Sequence, residues 1–205
     1  MPSHILLLTG EREAPHFRTF LTTRNPTLTV SDAQDRAGME RALEGRMDST
    51  RIIAFLTGVI VPAAILDALP SAAYNIHPGP PEYPGSYPES FAIWDGATAY
   101  GITAHEMAPK VDTGAILRVS RFDLPVQPDL NNMGDLVFGA AVEMFAAIAE
   151  HCAISDDDIP PSGDHWAAKR YTKQDFAALC RSGGSYAGAD LDRLRRACGK
   201  DFIEN

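Results

Sequence analysis

The chain predicts an α/β fold: a mostly parallel twisted sheet with helices on both faces and a short C-terminal helical tail. Three observations predict it. Short apolar runs of strand length alternate with helix-forming stretches through the first half, the pattern of a parallel sheet buried on both sides. Leu130, Met133, Val137, Ala140, Met144 and Ile148 recur at helical spacing, making one long amphipathic helix to pack on that sheet. Beyond Ile159-Pro160-Pro161 the composition shifts and only helical patterns remain.

Residues 5–8 are apolar throughout and close at Thr9-Gly10, as a buried first strand does. Residues 27–30 read as a weaker second strand and 37–43 as a helix. Residues 51–56 contain Ile-Ile-Ala-Phe-Leu, a further buried strand ending at Thr57-Gly58, and Pro62 suits the first turn of a helix through Leu69. Residues 74–77 are a fourth strand. Then Pro78, Gly79, Pro80, Pro81, Pro84, Gly85 and Pro88 exclude helix and strand alike, leaving a stiff, shaped loop. A helix over 89–95 stops at Gly96. Residues 100–107 alternate as a strand, with Ile102 and Ala104 on one face and Thr103, His105 and Met107 on the other. After a turn at Asp112 the return strand begins over 115–119. Thr172 and Asp175 have the form of a capping box opening a helix to about Arg181, and 190–198 is a last helix stopped by Gly199. The expected division is a main domain over 1–160 and a helical appendage over 161–205.

The net charge of -9 argues against a phosphate backbone as the main partner, since such binders need a cationic face. Cys152, Cys180 and Cys198 are odd in number and far apart, with neither a disulfide framework nor metal-ligand spacing. A reducing cytoplasm and no metal are expected. The sequence shows no signal peptide, and no apolar run approaches a membrane span, so no membrane association is expected. No G-x-G-x-x-G follows the first strand, which removes a nicotinamide dehydrogenase.

The chemistry concentrates in Asn75-Ile76-His77-Pro78 and, 35 residues after the histidine, Val111-Asp112-Thr113-Gly114. Taken singly, each is ordinary turn chemistry. Together they supply an amide to donate to an oxyanion, an imidazole to carry a proton and a carboxylate to orient the imidazole or accept an amine's proton. Those groups suffice to move an acyl carbon between nitrogens. Residues 58 onward and 75–77 also lie at carboxyl ends of strands, where open sheets gather ligands.

Six pieces fall in a fixed order: Gly58-Val59-Ile60-Val61-Pro62, Asn75-Ile76-His77-Pro78, Tyr83-Pro84-Gly85, Asp95-Gly96, Gly101-Ile102-Thr103 and Val111-Asp112-Thr113-Gly114-Ala115-Ile116-Leu117. In this the run from Gly58 to Leu117 resembles the formyltransferases that use 10-formyltetrahydrofolate. These include glycinamide ribonucleotide transformylase, methionyl-tRNA formyltransferase and the sugar-nucleotide N-formyltransferases. The resemblance implies a Rossmann-like formyltransferase fold and a catalytic trio of Asn75, His77 and Asp112. It implies a pterin slot with Val59, Ile60 and Val61 on one side and Met107, Lys110 and Val111 on the other. It also implies 10-formyltetrahydrofolate as the formyl donor of one-carbon metabolism, and as acceptor the amino group of a small molecule, an amino sugar or similar amine. Nucleic acid is not an expected partner, and a homodimer is compatible with the sequence. Three alternatives stand beside this reading: glycinamide ribonucleotide formylation, hydrolysis of formyltetrahydrofolate, and an inactive folate-binding protein on the same scaffold.

The sequence departs from that family in places. The loop from His77 to Gly85 is one residue shorter than usual and reads Gly79-Pro80-Pro81 where a leucine pair is common, implying a rebuilt mouth. Gly10-Glu11-Arg12-Glu13 stands where glycinamide ribonucleotide transformylases cradle a substrate phosphate, and two carboxylates there repel one. About 40 residues follow Pro161, too few for the additional nucleic-acid-binding domain of methionyl-tRNA formyltransferases. His105 reads as a satisfied structural histidine. Tyr87 reads equally as a packed surface aromatic or, as the resemblance implies for its place after the Pro-rich loop, an acceptor contact. Both stay outside the catalytic set.

Overall fold

The apolar runs become strands because breakers flank them and neighbours bury them on both sides. In the computed structural model, which describes residues 3–203, β1 (His4–Leu8) and β3 (Thr50–Phe55) are buried at every position. They alternate with α1 (Ala14–Arg24), β2 (Thr29–Ala33), α2 (Arg36–Leu43), the single-turn α3 (Ala63–Leu66) and β4 (Tyr74–His77). Then come α4 (Pro88–Asp95), β5 (Ala99–Glu106), β6 (Ile116–Asp123), α5 (Leu130–Ile154), α6 (Lys173–Cys180) and α7 (Gly188–Cys198). The strands form one sheet in the order β2-β1-β3-β4-β5-β6. β1 runs parallel to β2 and β3, and β3 parallel to β4. β5 runs the other way: the Met107 amide donates to the Ala73 carbonyl at 2.7 Å while His105 lies opposite Asn75. β6 turns back again, with the Glu106 amide donating to the Ala115 carbonyl at 2.9 Å. The sheet is therefore mixed and mostly parallel.

The chain divides into two compact units. The first holds the residues up to His77 together with Ala104–Arg118 and Ala141–Asp164. One face of its sheet packs Leu6, Leu8, Ile52 and Ala54 against Met39 and Leu43 of α2, with Ile65 and Leu66 of α3 resting on them. On the other face Phe55 meets Phe17 of α1 edge-on at 4.8 Å, and Phe17 stacks on Phe145 of α5 at 3.7 Å. Helices thus cover both faces, as the alternation requires. Arg51 is fully buried, and its guanidinium donates to the carbonyls of Ser155 and Asp156 at 3.1 and 2.7 Å. It thereby satisfies backbone acceptors just past the end of α5.

The second unit holds Pro78–Thr103, Val119–Ala140 and the residues from His165 on. Phe176, Cys180, Leu194 and Cys198 of the two tail helices form a core with Tyr171 and with Phe91 of α4. The capping box forms as expected: Thr172 Oγ1 accepts from the Asp175 amide at 3.1 Å, and Asp175 Oδ2 accepts from the Thr172 amide at 2.8 Å. Backbone hydrogen bonds pin the Pro-rich loop. Ala167 donates to Pro81, Tyr171 to Pro84 and Ser86 to Tyr171, each at 2.9 Å. Gly85 is required there, because its φ is +104° and a Cβ would sit 2.1 Å from the Tyr171 carbonyl oxygen.

Four details differ from the sequence expectation. α1 was not expected: only Ala14, Phe17 and Leu21 are buried along it, and the threonines and arginines between them dilute the pattern. β2 lies two to three residues later than 27–30, because pairing with β1 runs from His4↔Thr29 to Leu8↔Ala33. α3 ends at Leu66, and looser turns carry the chain to Leu69 before Pro70. Finally, α5 is long and apolar enough, by length and composition, to cross a membrane. Asn131, Asp135, Glu143 and Glu150 interrupt every long apolar run in the sequence, which hid this property. In the fold those residues are exposed, while Met133, Val137, Met144 and Ile148 are buried.

Candidate active site

β4 carries Asn75 and His77 two residues apart, so both side chains project to the same face of the strand. The antiparallel neighbour β5 sets His105 opposite Asn75. Asp112 comes from the turn between β5 and β6, and local chemistry shapes that turn. Thr113 Oγ1 donates to the Lys110 carbonyl at 2.6 Å. Asp112 itself has φ +51°, a left-handed conformation that aspartate tolerates better than most residues. Gly114 lets the turn close on β5, since a Cβ there would lie 2.0 Å from the Glu106 carbonyl oxygen.

Four polar side chains meet as a result. Asp112 Oδ2 lies 3.6 Å from His77 Nδ1, and its Oδ1 lies 3.5 Å from His105 Nε2. Asn75 Nδ2 is 3.0 Å from His105 Nε2. His105 Nδ1 is 2.7 Å from the Glu106 carbonyl oxygen. His77, His105 and Asp112 are all buried, and Asn75 is half-buried. The two carboxylate contacts are long for hydrogen bonds but within ion-pair range, and such contacts tighten when a substrate closes a site. Nearby, the Glu106 carboxyl is pushed up by partial burial and by the charge of Asp158.

Beside this cluster opens a recess of about 450 Å³ of empty space, counting the part open to solvent. Ala54, Thr57, Val59, Ile60, Val61, Asn75, Met107, Ala108 and Val111 line it. Apolar walls with a few polar groups at the edge suit a flat heteroaromatic ring. Five of the six expected slot residues are here. The sixth, Lys110, is exposed and outside the lining, and its carbonyl holds the Asp112 turn through Thr113. Val61 is also a core residue at 7% exposure, whereas Ile60 is 57% exposed at the opening.

Sequence reasoning left out His105, which the structure puts in contact with Asn75. Its signal was the alternation that set it on the face of Thr103 and Met107. What the alternation could not say was which residue of β4 stands opposite. Tyr87, in the second unit, stacks on Phe176 with ring centroids 3.9 Å apart, which fits the packed aromatic of its two sequence readings.

Residues 10–145 match the profile of a family described as formyl transferase. Methionyl-tRNA formyltransferase of Pseudoalteromonas translucida is 28% identical over 157 residues, which cover 74% of this chain and 47% of that protein. The Borrelia hermsii enzyme of the same name is 31% identical over 131 residues, covering 63% and 39%. The chain therefore spans about half the length, or less, of the curated relatives it matches. Among solved structures, a sugar N-formyltransferase from Shewanella superposes with a TM-score of 0.78 at 18% identity, covering 95% of this chain and 87% of that one. An N-formyltransferase from Helicobacter canadensis, in complex with folinic acid and dTDP-3-aminofucose, gives 0.71 at 12% identity, covering 97% and 81%. HypX from Aquifex aeolicus, in complex with tetrahydrofolic acid, gives 0.69 at 20% identity, covering 96% and 34%. At these identities the likeness establishes the fold, the Rossmann-like arrangement these proteins share.

Proposed function

Because the chain belongs to the formyl transferase family, we propose that it transfers a formyl group from 10-formyltetrahydrofolate to the amino group of a small molecule, an amino sugar or similar amine. The observation that carries this reading is the buried Asp112 carboxylate, which faces His77 on one side and the His105–Asn75 pair on the other, beside an apolar recess. The recess formed by Val59, Ile60, Val61, Met107 and Val111 takes the pterin, and Lys110 contributes through the backbone of the adjoining turn.

In this mechanism the acceptor nitrogen attacks the formyl carbon, and the carbonyl electron pair moves to oxygen. The Asn75 amide and the protonated His77 stabilise that oxyanion, one such donor being worth about 3 kcal/mol of barrier. Asp112 holds the His77 imidazole and takes the proton of the new ammonium, directly or through water. When the oxyanion collapses, the bond to the folate nitrogen breaks. That nitrogen keeps the electron pair and takes up a proton, giving a formamide and tetrahydrofolate. The residues assigned to the chemistry all precede 160, and we take 161–205 as the helical appendage to a catalytic domain over 1–160. Folate-dependent one-carbon chemistry on such an acceptor fits a cytoplasmic enzyme.

A small acceptor is favoured over aminoacylated tRNA by the net charge of -9, which repels a polyanion. The test is tetrahydrofolate release from the formyl donor with amino sugars, nucleotide-linked amino sugars, glycinamide ribonucleotide and charged initiator tRNA offered separately. Release that depends on a small amine, with a formamide product, supports the reading. Release with water alone, or only with tRNA, overturns the acceptor assignment.

A further inference from the structure

A carboxamide has two ends of nearly equal shape, and only its NH2 end can donate to an oxyanion. Something must therefore decide which end of Asn75 faces the reacting carbon. His105 is placed to do so. Its Nδ1 lies 2.7 Å from the Glu106 carbonyl oxygen, which can only accept, so the ring carries a proton on Nδ1. In the neutral ring Nε2 then presents a lone pair. That lone pair is 3.0 Å from Asn75 Nδ2 and takes one of the two amide hydrogens, leaving the other for a substrate. The reversed amide would set its oxygen against the lone pair. Buried lone pairs opposed in this way are costly.

The competing arrangement is visible on the same atom. Asp112 Oδ1 stands 3.5 Å from His105 Nε2. A second proton on the ring would draw Asp112 toward His105, away from His77, and would turn the Asn75 oxygen inward. Asn75 from β4, Asp112 from the turn and the Glu106 carbonyl from its own strand all face the ring, with His77 beyond Asp112. The structure holds the first arrangement: the amide nitrogen faces Nε2 at 3.0 Å while the carboxylate stays at 3.5 Å. We infer that His105 is a positioning residue whose neutral, Nδ1-protonated ring locks the Asn75 amide with its N–H toward the formyl oxygen. This rests on the formyl-transfer reading above.

Nitrogen-15 NMR of histidine-labelled protein reads the tautomer without any turnover, with the His105 signals assigned by their loss in His105→Gln. The expected result at pH 7 is a proton on Nδ1 and none on Nε2. A proton on Nε2 overturns the inference. The kinetic arm compares two variants. His105→Leu removes the acceptor and should lower kcat roughly tenfold, the worth of one hydrogen bond, while KM for the formyl donor changes less than twofold. His105→Gln keeps a carbonyl that can accept the same amide hydrogen and should restore most of kcat. Equal activity in the Leu and Gln variants would mean that His105 only fills space. If His105→Leu does not fold, the Gln variant and the NMR decide. Failure of the formyl-transfer reading looks different: the wild-type protein then releases no tetrahydrofolate with any acceptor, while the NMR still reads the tautomer.

Discussion

Asp112 combines burial, a left-handed backbone and two imidazole neighbours, so little else can occupy its position. Replacing it, Asn75 or His77 by alanine is expected to lower kcat at least about a hundredfold, typical for oxyanion and acid–base groups, with an unchanged circular dichroism spectrum. Turnover near the wild-type rate in a folded variant removes that residue from the mechanism. The proposed folate recess gives a second expectation, because two of its adjacent residues differ in burial. Ile60→Asp puts a charge at the exposed opening and should weaken binding of a folate analogue in a folded protein. Val61→Asp buries the charge in the core and should unfold the protein instead. Titration calorimetry with the first variant and a thermal melt of the second check both. Unchanged folate affinity in folded Ile60→Asp would sink the slot assignment.

At the scale of elements, the hairpin of β5 and β6 is what delivers the carboxylate. Gly114→Ala would drive a Cβ into the Glu106 carbonyl, so the turn must shift and activity should fall although no reacting group is changed. A folded variant with full turnover would show that the turn tolerates movement. α4 offers a pH test. Burial pushes the Glu89 carboxyl, in the first turn of that helix, up to about 7. A carboxyl raised in this way favours the fold while it is protonated, below the ordinary carboxylate range. That contribution is lost as pH climbs through about 7. Glu89→Gln cannot ionise, so its melting temperature should exceed the wild type's by more at pH 8 than at pH 5. The parts of the fold that the sequence made legible are those with a strong local cause. β1, β3 and β4 are apolar runs between breakers, and Thr172 with Asp175 announces α6. α1 was illegible because three anchors among threonines make a weak period, and it forms through the packing of Phe17 on Phe55 and Phe145. The trio proposed to be catalytic stands in the sequence as spaced motifs. The contact of His105 with Asn75 was not, since it depends on the antiparallel register of β4 and β5, which no local pattern encodes.

For the whole molecule, the balance of 18 basic against 27 acidic residues sets what can approach. A gel shift with charged initiator tRNA at moderate salt is expected to show no complex at micromolar protein. Tight binding accompanied by formylation would reverse the acceptor assignment. The backbone bonds between the Pro-rich loop and 167–171 carry a separate consequence, for how such proteins can be recombined. The loop following His77 does not own its shape. Three hydrogen bonds, and a glycine that admits the Tyr171 carbonyl, tie it to chain made some eighty residues later. It is therefore not a detachable module. Grafting residues 78–87 from a relative onto this chain should give an unstable hybrid, and exchanging 167–171 in the same step should restore its melting temperature. Two segments distant in sequence are thus one structural unit, and any change written into the loop has to be written into the tail as well.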